Sequence, residues 1–171
     1  LPLQYEPGTQ WHYSVSVDIQ GRLVEILSGM AFGEFLRTRL FEPLDMKDTA
    51  FYVPLEKQSR LAQLYKPAGL TELNFMAPAT GKGLEVADAH ISAGVIAPPK
   101  FESGGAGLVS TARDYLRFAQ MMLNGGELDG IRILSPKTVQ LMTSNHLGDL
   151  PMGWGGKGLG FGLGFGLVLE P

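Results

Sequence analysis

From Ile19 the apolar residues fall at three- and four-residue steps, through Leu23, Ile26 and Leu27 to Met30, which is the spacing of one helix face. That spacing predicts a first helix over Ser14 to Gly29, with this face as core and Gly29 as its stop or kink. A second helix is expected from about Phe32 to Phe41, burying Phe32, Phe35, Leu36 and Leu40, and Pro43 forbids its continuation. Between Leu44 and Tyr65 the pattern breaks into a turn at Asp45 to Asp48, a short strand near Thr49 to Val53, a polar hinge at Glu56 to Arg60 and a candidate strand at Leu61 to Tyr65. From Lys66 to Pro99 periodicity is lost and Pro and Gly are scattered, which reads as a long loop. Such a loop, when functional, is usually a lid or pocket wall.

Helical spacing returns at Thr111, an N-cap with Asp114 three residues on to complete a capping box. Tyr115, Phe118, Ala119 and Met122 line its expected buried face, Arg113 and Asp114 read as first-turn surface charges, and Asn124-Gly125-Gly126 ends it. Asp129-Gly130 marks a turn and Ile131 to Leu134 an extended piece. Ser135 and Pro136 form the N-cap and N1 pair of a helix to about Ser144 that buries Val139 and Met142. In the glycine-rich tail, Phe161 to Val168 alternates large apolar residues with glycine, predicting a strand against which another backbone packs closely.

The chain has 171 residues, 44% hydrophobic and 18% charged, enough for one globular domain with a substantial core. The net charge of −3 and the lack of long like-charge runs give nothing to recruit nucleic acid or an anionic membrane. No apolar run approaches the roughly 18 residues of a membrane span. Cysteine is absent, which removes disulfides, thiolate metal sites and a cysteine nucleophile and leaves the compartment open. The three histidines, His12, His90 and His146, lack metal-ligand spacing, so neither metal nor cofactor is expected. The opening at Leu1, with no charged-then-apolar leader, reads as the middle of a longer protein.

Two stretches invite a chemical reading. Gly104, Gly105 and Gly107 match neither a P-loop nor a dinucleotide fingerprint, so close backbone packing is the better reading. Pro7-Gly8 asks for a type II turn, which aims Trp11 to Tyr13 from a sharp bend beside a helix start. Tyr13 is either a core aromatic with a polar tip or a phenol held for proton transfer.

PGTQWHYSV, FEPLDMKDTAF, GGAGLVSTARDYLRFAQMMLNGG, RILSPKTVQLMTSNH and FGLGFGLV stand here in the order seen in the serine β-lactamase-like superfamily, which the whole chain resembles. That superfamily holds class C β-lactamases, penicillin-binding DD-peptidases and family VIII carboxylesterases, and the esterase branch is the most similar. The resemblance implies an α+β fold, a helical subdomain on an antiparallel sheet, with this chain supplying mostly the helical part and the first strand of the C-terminal sheet. It implies that Tyr13 is the active-site tyrosine, acting with the lysine of a Ser-x-x-Lys element on a small-molecule ester or lactam. No serine here has lysine three residues later, so residues 1–171 are expected to be the central part of a single serine hydrolase domain. The Ser-x-x-Lys segment would lie upstream and the third motif, with the C-terminal sheet, downstream.

Trp154-Gly155-Gly156 and His146-Leu147-Gly148 spell forms of that third motif but precede the FGLGF strand, whereas the family's element follows it. Trp154 is kept as a candidate pocket wall. Val15 stands where lactam-recognising members carry Asn, which implies an esterase for short acyl esters rather than a β-lactamase or DD-peptidase. The contrasting expectation is a binding module without activity. A piece of such a fold would expose apolar faces, so association with its remaining segments or with a copy of itself is expected.

Overall fold

The first helix, α1, runs Ser16–Ser28 and stops at Gly29, whose φ of 70° supplies the left-handed conformation that lets its N–H reach the Glu25 carbonyl. The computed structural model describes residues 2–68, 83–87, 94–152 and 158–169. α2, Phe32–Leu36, continues into a π-helical turn, Arg37–Phe41, so the second expected helix is present to its expected end. The face predicted for α1 is not its buried face. Ile19, Leu23, Ile26 and Leu27 are exposed, and the helix instead buries Gly21. Phe32 of α2 packs on the side of α1 that carries Gly21, 3.4 Å from where a Cβ would stand, and the aliphatic stripe lies outward.

The core forms where the chain after α2 meets two later helices. Phe41, Leu44 and Met46 pack with Met121, Met122 and Val139. The third helix, α3, is Ala112–Leu123, and Thr111 caps it as expected, its Oγ1 accepting the Asp114 N–H at 3.1 Å. The other half of the capping box does not form. Asp114 is only 4% exposed, and its Oδ2 accepts the Asp48 N–H at 2.7 Å and the Thr49 hydroxyl at 2.9 Å, pinning the 45–50 loop to α3. It is therefore a buried acceptor, not a surface charge. The helix is rotated with it, burying Asp114, Met121 and Met122 and leaving Tyr115 and Ala119 exposed.

The fourth helix, α4, is Pro136–Met142, with Ser135 Oγ accepting the Thr138 N–H at 3.1 Å, as the Ser-Pro pair required. Among the described residues, three small antiparallel hairpins complete the α+β arrangement. β1, Tyr65–Pro67, pairs with β2, Leu84–Val86, inside the stretch expected to be a loop. β3, Glu127–Leu128, and β4, Ile131–Arg132, flank Asp129 and Gly130, whose φ values of 53° and 79° make the turn that the right-handed twist of a hairpin favours. β5, Leu159–Phe161, pairs with β6, Gly166–Val168, so the predicted single strand is in fact part of a hairpin folding at Gly164. The expected strand near Thr49 to Val53 is reduced to one bridge between Ala50 and Val109, and the polar hinge is a 3-10 turn, Leu55–Arg60.

That turn is tied back by charge. The Asp48 carboxylate accepts from Arg60 and from Lys57, each at 2.7 Å, and these bonds hold its carboxyl well below the usual carboxylate range. A depressed carboxylate contributes stability that is fully present above its unfolded value, about 3.9, and is lost as pH falls below that value. Urea titrations of the wild type and Asp48→Asn should therefore differ most near neutral pH and converge progressively below about pH 4. A gap that is independent of pH would show that Asp48 is not so engaged. The helix rotation has its own test. Met121→Ala should cost about 2–5 kcal/mol by denaturant unfolding, and exposed Tyr115→Ala within about 0.5 kcal/mol.

Candidate functional site: the corner at Tyr13

The chain bends where the sequence said it would. Thr9 N–H meets the Glu6 carbonyl at 3.2 Å across Pro7 and Gly8, and Gly8 takes φ 81°, the third-position requirement of a type II turn. The run after it is fixed from both directions. Upstream, Trp11 stands edge-on against Phe161 of β5, ring centroids 5.4 Å apart, and Tyr13 is tilted against Trp11 at 6.4 Å. Downstream, Ser14 Oγ lies 2.7 Å from Ser16 Oγ and 3.3 Å from the Ser16 N–H, and the Val15 carbonyl accepts the Asp18 N–H at 3.0 Å. The Tyr13 side chain stands at 65% exposure and Val15 at 68%, so neither is sealed in the core. Phenol and isopropyl group thus share one open corner at the start of α1.

A second segment, not assigned to the site from sequence, grips that helix start. Residues 102–106 cross the α1–α2 pair as a strap. The Glu102 carboxylate accepts the Gly33 N–H at 2.6 Å at the head of α2, and the Ser103 hydroxyl donates to Asp18 Oδ1 in the first turn of α1. Ser103 Oγ also accepts the Gly105 and Ala106 N–H groups at 3.1 and 3.0 Å, and Asp18 Oδ1 accepts from Gly105 at 3.4 Å. A Cβ on Gly104 would fall 2.0 Å from the Val17 carbonyl oxygen, so the close-packing reading of this glycine run holds. Glu25 closes the helix pair from below, accepting the Phe32 N–H at 3.3 Å, and Arg22 beside it holds its carboxyl below the usual range. The signal in the sequence was Asp18 at the helix N-terminus, where an acid also suits the helix dipole.

Of the other residues weighed as site candidates from the sequence, only His146 lies among the described residues beyond this corner. His146 is engaged structurally, its Nε2 2.8 Å from the Leu141 carbonyl and its backbone N–H on the Phe161 carbonyl. Trp154 and His90 lie outside the described residues. Among the described residues no group of three His, Cys, Asp or Glu side chains could hold a metal ion. A cavity of about 720 Å³ opens elsewhere, between Arg37, Phe41, Tyr52, Lys57 and Ser110, and Tyr13 does not line it. What singles out the corner is the resemblance that names Tyr13, together with its exposure, and not enclosed volume.

Comparison with known proteins places the chain in a family. The family model described as Beta-lactamase matches residues 1–171. Protein Rv1367c of Mycobacterium tuberculosis is 35% identical over 182 residues, covering all of this chain and 41% of that protein. Lovastatin esterase of Penicillium rubens is 32% identical over 149 residues, covering 86% of this chain and 33% of the esterase. Among solved structures, that of "EstCE1, a hydrolase with promiscuous acyltransferase activity" superposes with a TM-score of 0.71 at 25% identity, over 99% of this chain and 44% of that one. The chain thus spans less than half the length of each of these relatives.

Proposed function

The chain belongs to the β-lactamase family, and on that premise we propose that the full-length protein is a serine hydrolase, a carboxylesterase for short acyl esters, whose active-site tyrosine is Tyr13. Its α+β fold is that of the solved β-lactamase-like structures. In this reading residues 1–171 are the central part of one catalytic domain. A Ser-x-x-Lys element, absent from these residues, comes from another part of the polypeptide. The open aliphatic stripe of α1, with Ile26 and Leu27 outward, is then the face on which other segments of the protein, or a second copy, pack.

The observation that carries the proposal is the exposed phenol of Tyr13, held between the Trp11–Phe161 contact and the first turn of α1. A hydroxyl so placed can meet a serine delivered to the corner. The serine Oγ bonds to the ester carbonyl carbon while its proton passes to the tyrosine–lysine pair. Collapse breaks the bond to the alkoxy group, which leaves as the alcohol with that proton. Water then attacks the acyl-serine by the same route in reverse and releases the acid. An ordinary phenol, with pKa about 10, is a poor base near neutrality, so the lysine ammonium must lie close enough to favour the phenolate. Backbone amides stabilise the oxyanion.

Val15 supports an ester over a lactam. It offers a methyl surface beside Tyr13 and no amide to pair with a substrate amide, a loss on the order of a few kcal/mol of discrimination. The name of one relative, lovastatin esterase, points the same way. Trp154 is retained as a pocket wall.

With the full-length protein, a short-chain aryl ester should turn over faster than a chromogenic cephalosporin, and the reverse order would overturn the esterase assignment. Tyr13→Phe should lower kcat on the ester by roughly 10²-fold, the scale of a general base. A near-normal rate would return Tyr13 to a packing role. The 171-residue chain by itself should hydrolyse neither substrate.

A further inference from the structure

Two of the contacts that place the corner come from a strap more than eighty positions away in the sequence, since the Ser103–Asp18 bond spans 85 residues. Of its two anchoring points, the one at Gly104 sits where only glycine fits, because the neighbour there is backbone. A Cβ on Gly33 would come within 2.5 Å of the Glu102 carboxylate, and one on Gly104 within 2.0 Å of the Val17 carbonyl oxygen. The strap therefore meets α1 through backbone at Gly104 and Val17, and side-chain bonds from Glu102 and Ser103 secure it to α2 and α1. Gly104 also approaches Gly21, at 3.7 Å from where its Cβ would stand, so the two helices and the strap share one backbone junction.

The same junction reaches Tyr13 through short, directional bonds. Asp18, held by Ser103 and Gly105, donates its own N–H to the Val15 carbonyl, which also receives the Ile19 N–H at 3.4 Å. Ser14 bonds to Ser16 across the same turn. Only Ser14 and Val15, both engaged in these bonds, separate Tyr13 from the first turn of α1. The apolar face of α1 contributes little here, because it is exposed within the described chain.

We propose that Asp18, Ser103 and Gly104 are positioning residues for Tyr13: the strap fixes the first turn of α1 and thereby the place of the phenol. This rests on the hydrolase reading above. None of the three need touch the substrate. A positioning element acts on kcat, because displacing a reacting group by about 1 Å costs up to about a hundredfold in rate while leaving ground-state binding largely intact.

The test uses the full-length protein and four variants on a short-chain aryl ester, with amide hydrogen exchange as a readout independent of turnover. Asp18→Ala should lower kcat roughly ten- to a hundredfold with KM changed by less than about twofold, and should speed exchange at the amides of residues 14–19. Asp18→Asn, which keeps an acceptor oxygen for Ser103 and Gly105, should restore most of the rate and protection. Ser103→Ala should follow Asp18→Ala. Thr111→Ala removes the cap of α3 and should lower the melting temperature without either change. Wild-type kcat or unchanged exchange in Asp18→Ala, in a protein that Tyr13→Phe disables, overturns the strap proposal alone. A silent Tyr13→Phe overturns the role given to Tyr13 and the strap proposal with it.

Discussion

The backbone of Gly104 lies so close to the Val17 carbonyl that no side chain could stand between them. Much of the corner follows from that contact. It brings Ser103 and Gly105 to the Asp18 carboxylate, and it puts the strap across the heads of both helices, with Glu102 on α2. The start of α1 is thereby placed by polar and backbone contacts, not by burial, since the aliphatic stripe of the helix is open. Hydrogen bonds contribute about 1 kcal/mol each but are strict about direction, whereas apolar burial is strong and indifferent to small rotations. A catalytic group that must be aimed is better served by the first kind of restraint.

Stability comes from a different place. Leu44 and Met121, fully buried, lie in a core shared by the turn after α2, α3 and α4, and Asp114 ties the 45–50 loop to the same centre. Arg117 adds a second tie, reaching Asp129 at 2.6 Å and the Leu44 carbonyl. None of these residues belongs to the Tyr13 corner. Core and corner meet through α2, whose Leu36 packs on the core, and through the β5–β6 hairpin, where Phe165 packs on the core and Phe161 on Trp11. This separation lets the corner adjust to an arriving segment or substrate while the core keeps its packing, because local opening free energies follow local contact density.

Features set by local chemistry were legible in the sequence. The Pro7-Gly8 turn, the Gly29 stop and the Thr111 and Ser135 caps each depend on residues within a few positions, and each is present. The motifs that carried the family resemblance depend only on order along the chain, and the family assignment stands on them equally well. What failed depended on distant partners. The period of α1 was right, but the side that faces inward is the one where Phe32 packs on Gly21, a partner outside the helix that its own periodicity does not report. Asp114 looked like a surface charge because its partners, Asp48 and Thr49, lie some 65 positions away. The hairpin of β1 and β2 has strands of three residues, too short for alternation to register. The glycine run was legible as a close packing, but not that Asp18 would be its partner.

The claim on which all of this depends is that Tyr13 serves a nucleophile carried by another part of the polypeptide. The most direct measurement is intact-mass spectrometry, with peptide mapping, of the full-length protein quenched during turnover of an aryl ester. One acyl group on a serine that is followed three residues later by lysine, outside residues 1–171, is the expected result. An unmodified protein, or an acyl group carried by a serine within these residues, would contradict it.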